Sequence, residues 1–316
     1  MVPLSRNEIR TSFFPGSMNQ LGTYLHIGQP KAGSTSIQVF LAQNRALLET
    51  NRYAFPDFLG EPSQIGLLLL SLSRRPGVRA SPWLQMVADR FEGSWRRARS
   101  DLAAELIEWA KRHSDKNLVL SAEGLSTLLN HTEIRRLAET LNRLGRQVNV
   151  IIYVREPVSR AASAWSETKK HGLTSAKTLT AFVEENKAQS PLRPRLGGSA
   201  GLGNIVDWEE QFPGRVIVRL FDENQFRHGD LLRDFCESVG IPWRSDFILP
   251  GPKNVSSRNL ASGSLNRFLP STAHMKNYRP TSAEIRSIYA DSQYALDFLR
   301  LTYFPNKETL WSPMFD

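Results

Sequence analysis

The chain of 316 residues carries a single cysteine, Cys236, so no intrachain disulfide can form and no cysteine-rich metal site can be built. It also lacks a long hydrophobic run. The longest, Ile65 to Leu72, is far too short to cross a bilayer, and no apolar core of a secretory leader follows the early charges. The first twenty residues are therefore expected to be a loose tail, with Met18 an alternative start. The six histidines never fall at HxH or HxxxH spacing and no run of acids marks a ligand set, so no metal is expected. There is no long basic tail and no ladder of interleaved aromatics, which argues against nucleic acid as a partner. Even so, 40 Lys and Arg against 31 Asp and Glu leave a net charge of +9, which suits some anionic ligand. A soluble, cytoplasmic protein is the expectation, with its oligomeric state left open.

What is present begins at Leu21–Leu48. A short apolar run, Tyr24–Ile27, has the look of a buried strand. Gly28-Gln29-Pro30-Lys31-Ala32-Gly33-Ser34-Thr35-Ser36 follows, and then Ile37, Phe40, Leu41, Leu47 and Leu48 recur at helical spacing. Strand, glycine turn and helix start together make an anion cradle. The free N–H groups of a first helical turn point at the ligand, and the helix dipole favours negative charge. Lys31 adds a mobile cation. The order is not that of a Walker A loop, in which Gly-Lys precedes the hydroxyl residue.

Further strands are expected at Asn117–Ser121, Val148–Val154 and Arg215–Phe221, with amphipathic helices between them and Pro157 at a first helical position. Residues 61–98 read as a helical insertion or lid, and 187–206 as a long loop. The alternation predicts one α/β domain over 21–316. It would have a central, mostly parallel sheet flanked by helices, P-loop-like in plan, with helical insertions. Ligands of such sheets sit beyond the carboxyl ends of the strands, which would bring the Lys31 loop, Glu123 and Arg155 to one edge.

Two segments together resemble the sulfotransferases that use 3′-phosphoadenosine 5′-phosphosulfate (PAPS). Pro30-Lys31-Ala32-Gly33-Ser34-Thr35 is similar to that family's 5′-phosphosulfate loop. Val154-Arg155-Glu156-Pro157 through Ser163 is similar to its 3′-phosphate segment, an Arg and a Ser eight residues apart after a strand. The wider text over 26–45 and 208–240 resembles bacterial members acting on carbohydrates, and the resemblance thins over 61–98 and beyond 260. Ala32 and Ser34 depart from the more usual hydroxyl residues at their positions. The late basic loop of the animal enzymes has only Lys253, Asn254, Ser256 and Arg258 as a stand-in.

The resemblance implies that Lys31 holds the phosphosulfate bridge, that the backbone from Ala32 and Gly33 through Ser34, Thr35 and Ser36 cradles the 5′-phosphate, and that Arg155 and Ser163 hold the 3′-phosphate. Arg155 could instead make a helix-start ion pair with Glu156. For the general base, Glu123 is the first candidate, with a helix-capping role as the alternative; His26 and His171 are the others. The acceptor would be a saccharide or glycoconjugate hydroxyl, with Trp165 or Trp208 stacking on a ring and Arg193 and Arg195 in a loop over it, unless these are core tryptophans and a solvated loop. A small-molecule kinase with a P-loop and a non-catalytic nucleotide- or glycan-binding relative are the competing readings.

Overall fold

The computed structural model describes residues 21–73, 89, 94–189, 204–251 and 278–311. In chain order the elements are β1 (Gly22–His26), α1 (Ser34–Gln43), α2 (Arg45–Thr50), β2 (Tyr53–Ala54), α3 (Gly66–Ser71), α4 (Trp95–Arg112), β3 (Asn117–Ser121), α5 (Leu125–Leu128) and α6 (His131–Asn142). Then follow β4 (Gln147–Val154), α7 (Pro157–Lys170), α8 (Leu179–Gln189), α9 (Ile205–Gln211), β5 (Val216–Leu220), α10 (Leu231–Val239) and α11 (Ser282–Tyr303).

The five strands form one sheet in the order β2-β3-β1-β4-β5, and every pairing in it is parallel. The expected α/β architecture is therefore the observed one. The two-residue strand Tyr53–Ala54 is an addition: its stretch looks like an aromatic turn in sequence, and it becomes an edge strand only by pairing with Asn117 and Leu118. Strands buried on both faces read as near-continuous apolar runs, as β4 does. Successive residues nonetheless go to different cores. Val150, Ile152 and Val154 join the cluster with Trp208, Leu102 and Leu137, whereas Ile151 and Tyr153 join the one with Phe40, Ile37 and Phe235. Each fully buried aliphatic side chain contributes about 1.5–3 kcal/mol, so a one-residue slip would exchange both faces and is strongly disfavoured.

This order puts β1 in the middle, with β3 on one side and β4 on the other. The chain leaves β3, passes over β1 and returns as β4. A strand order of this kind opens a crevice at the carboxyl ends, and the turns after β1, β3 and β4 all lead into it. Of the stretch 61–98, α3 and the start of α4 are packed in the core, with Leu67, Leu69 and Leu70 fully buried. The intervening 74–93, Arg193 and Arg195, the tail 1–20, and Lys253, Asn254, Ser256 and Arg258 fall outside the described residues, apart from residue 89. Among the described residues, no helix is long and apolar enough to cross a membrane.

Candidate functional site: three turns at one edge of the sheet

The turn after β1 is shaped by its glycines. A Cβ on Gly28 would lie 2.5 Å from the Ser34 Oγ, and one on Gly33 would lie 2.4 Å from the Leu231 Cδ2. Gly33 has φ +76° and Lys31 has φ +68°, a left-handed conformation that costs a non-glycine residue about 1–2 kcal/mol. Gly33 is the N-cap of α1 and offers no side chain to cap it. The first intrahelical bond is the Ile37 N–H to the Gly33 carbonyl, at 3.2 Å. The N–H groups of Ser34, Thr35 and Ser36 precede it and point out of the helix start. Both departures from the resembled loop have physical reasons. Ala32 is fully buried in the apolar cluster with Phe221 and Leu231. The Ser34 hydroxyl donates to the Gln29 carbonyl at 3.1 Å, so this residue can serve an anion through its N–H.

The turn after β4 is built differently. Pro157 opens α7, and the Glu156 carboxylate caps it, accepting from the N–H of Val158 at 2.9 Å and of Ser159 at 2.6 Å. The Arg155 guanidinium donates to the Ser159 Oγ from Nε (3.1 Å) and Nη2 (2.9 Å), and to the Lys31 carbonyl from Nη1 (2.8 Å). It also stands over the Phe221 ring, 5.6 Å from the centroid. Burial pulls the Arg155 guanidinium down to about 10; Glu156 opposes this and Arg160 adds to it. Glu156 thus supports Arg155 electrostatically while its oxygens cap the helix. Ser159, Ser163 and Glu167 recur every four residues and so share one face of α7. Lys31 reaches that face, where its Nζ is ion-paired with Glu167.

The third turn, after β3, carries Glu123. Gly124 (φ +94°) begins α5 without a side-chain cap. The Ser126 hydroxyl donates to the Gly28 carbonyl at 2.9 Å, which fastens this turn to the Lys31 loop. Lys31 and Glu123 act on each other electrostatically. Burial lowers the Lys31 ammonium pKa, Glu123 counteracts that and Arg155 reinforces it. Burial raises the Glu123 carboxyl pKa, and Lys31 counteracts that. The geometry therefore gathers a half-buried amine, a carboxylate of raised pKa, a guanidinium and a free helix start at one mouth.

No protein-family model and no curated protein matches the chain. Two solved structures are similar to it in fold. The sulfotransferase from Alicyclobacillus acidocaldarius is 15% identical, with 89% of this chain and 94% of that one covered and a TM-score of 0.48. The sulfotransferase domain from the curacin biosynthetic pathway is 14% identical, with 91% and 94% covered and a TM-score of 0.39. At these values the likeness decides nothing about chemistry, which rests on the residues themselves.

Of the residues singled out in sequence, Lys31, Ala32, Gly33, Ser34, Thr35, Ser36, Glu123 and Arg155 lie on the three converging turns, and Ser163 lies two helical turns into α7, nearly buried. Three alternatives, His26, Trp165 and Trp208, are overturned. His26 is fully buried, bonded to the Ser121 Oγ at 2.8 Å and packed edge-on against Tyr153 and Phe235. Burial lowers its pKa to about 3, so it is a neutral core residue rather than a base at the mouth. His171 is the exposed C-cap of α7, four residues beyond Glu167. Trp165 and Trp208 are both in the core, at 1% and 0% exposure, and cannot stack on an acceptor. Gln29, Ser159 and Glu167 were not anticipated; Gln29 and Glu167 act through partners distant in sequence, whereas Ser159 stands four residues from its partner Arg155, a spacing that the sequence does contain. The fold also gathers His131, Asp207 and Glu210, whose ligand-type atoms lie within 4.8 Å of one another. His131 and Glu210 face each other at 3.2 Å across α6 and α9, which accounts for them as a helix-to-helix pair.

Proposed function

We propose that the chain is a sulfotransferase that moves the sulfuryl group of PAPS to a hydroxyl of a carbohydrate or glycoconjugate. The observation that carries this reading is the bond between Arg155 and the Lys31 carbonyl at the mouth of an uncapped helix. Two cationic sites are thereby held side by side, and a donor charged at both ends needs such a pair. The cradle fits a phosphate, since its glycines let the loop pack closely against Ser34 and Leu231 and leave the helix start of α1 without a side-chain cap.

In this scheme the N–H groups of Ser34, Thr35 and Ser36 hold the 5′-phosphate, while Arg155 and Ser163 hold the 3′-phosphate. Lys31 faces the bridging oxygen. The acceptor oxygen forms a bond to sulfur on the side opposite the bridge as the bridging S–O bond breaks. The bridging electron pair stays on the phosphate, where Lys31 offsets the developing charge. The acceptor proton passes to Glu123, whose raised pKa makes it a better base than an exposed carboxylate. Before the donor arrives, Glu167 holds Lys31, and the donor's own anion takes its place.

Calorimetric titration with adenosine 3′,5′-bisphosphate and with ATP tests the donor. The bisphosphate should bind more tightly, and tighter ATP binding or no bisphosphate binding would refute the reading in favour of a kinase or an unrelated site. Labelled PAPS with a panel of glycans tests the transfer; bisphosphate binding without any transfer would indicate a recognition module. The rate of transfer should rise with pH through a carboxyl pKa above the ordinary Glu range and fall through an amine pKa below the ordinary Lys range, because Glu123 must be deprotonated and Lys31 protonated. Glu123→Gln should remove the acidic limb and cost about 10²–10⁴-fold in rate.

A further inference from the structure

Gln29 is fully buried, yet it is polar, and it stands between the two cationic turns. Its side-chain Oε1 accepts the Arg155 backbone N–H at 2.8 Å. Its backbone carbonyl accepts the Ala32 N–H at 3.2 Å and the Ser34 hydroxyl at 3.1 Å. From the other direction, the Arg155 Nη1 returns a bond to the Lys31 carbonyl at 2.8 Å. Residues 29–34 and residue 155 are therefore joined twice, once through each partner's side chain to the other's backbone. Lys31 is itself left-handed at φ +68°, a conformation that persists in a non-glycine residue only where neighbours over-determine it. The Arg155 bond to its carbonyl and the bonds from Ala32 and Ser34 back to the Gln29 carbonyl supply that constraint.

We infer that Gln29 is a positioning residue that sets the separation between the Lys31 cradle and the Arg155 turn, so that the two anion sites act as one gauge for a donor phosphorylated at both ends. This rests on the donor reading above. Gln29 touches no donor atom in this scheme; it acts through Arg155 and the loop carbonyl. An amide suits the place because its oxygen accepts a buried N–H without bringing a charge next to the phosphates. An apolar isostere would leave the Arg155 N–H buried and unpaired, and the turn would shift to solvate it.

Two measurements test this. In the ligand-free chain, hydrogen exchange should show the amide of Arg155 strongly protected. Gln29→Met should speed its exchange, and that of Ala32, by about tenfold or more, while Gln29→Glu, which keeps the acceptor, should restore most of the protection. Rapid exchange of the Arg155 amide in the unmodified chain would overturn the inference without any variant having to fold. The second measurement is the ratio of dissociation constants for adenosine 5′-phosphate and adenosine 3′,5′-bisphosphate. Gln29→Met should shrink this preference about tenfold, because the two sites no longer hold the ligand's two ends at once. A purely structural residue would weaken both ligands equally and leave the ratio unchanged, and that outcome would also overturn the inference. If the unmodified chain showed no preference for the bisphosphate, the donor reading would fall, whereas the exchange result would still decide whether Gln29 braces the loops.

Discussion

The turns after β1 and β4 occupy neighbouring positions at the same sheet edge, and each leads into a helix, yet they present opposite helix starts. Gly33 leaves α1 uncapped, with its first N–H groups directed outward. Glu156 closes α7 with its own carboxylate, which takes the N–H groups of Val158 and Ser159. An anion can sit on the first helix start and not on the second. Whatever is bound at the second turn must be held by side chains, and Arg155, Ser159 and Ser163 are the side chains there. Backbone N–H groups hold any phosphate. A guanidinium placed by a second-turn scaffold adds the forked geometry that selects a particular one.

The largest effect expected from breaking this contrast is at Lys31. Lys31→Ala should lower sulfate transfer about 10³-fold, or ~4 kcal/mol of barrier, because the uncapped turn loses its only side-chain cation while its N–H groups stay in place. Rates from labelled PAPS would show it, and a loss under tenfold would mean that the N–H groups carry the charge alone.

Gly33→Ala should cost about 2–4 kcal/mol in stability, since the new methyl group would meet Leu231 and the residue would keep a left-handed φ. Urea titration measures it, and donor binding should weaken in the same variant. A stability loss near zero would show that the loop can relax out of its tight geometry.

The strand feeding the first turn ends in His26, which is buried neutral. The unfolded chain takes up a proton at this residue near pH 6.5 and the folded one only near pH 3, so stability is complete above about pH 6.5 and falls as pH drops below it. About 2 kcal/mol should be lost between pH 7 and pH 5, and His26→Gln should lose much less over the same interval. Parallel denaturation curves at the two pH values decide it; equal losses in both proteins would assign the acid sensitivity elsewhere.

The smallest effect is at the capped turn. Glu156→Ala should cost about 1 kcal/mol as the N-cap is lost, making α7 resemble α1. A thermal melt would measure this, and an unchanged melting temperature would show that the two helix starts do not differ energetically.

The features that sequence alone revealed share a physical origin. The glycine turn with Lys31, the apolar runs of β3 and β4, and Pro157 at the head of a helix are local devices, written in neighbouring residues. The short strand β2 escaped because two residues carry no periodicity and gain strand character only from their partner. His26 and the two tryptophans were legible as residue types but not as buried ones, since burial depends on which helices close over the sheet.

The sequence by itself determined the alternation of strands and helices and the chemistry of each turn, because backbone propensity and turn geometry act over a few residues. Only the tertiary structure decided that Gln29 and Arg155, 126 positions apart, are bonded, and that Glu167 stands against Lys31. Those contacts follow from the strand order. Placing β1 between β3 and β4 brings three distant turns within hydrogen-bonding reach of one another. Strand order is set by how the apolar faces pack, a property of the whole chain that no single stretch contains.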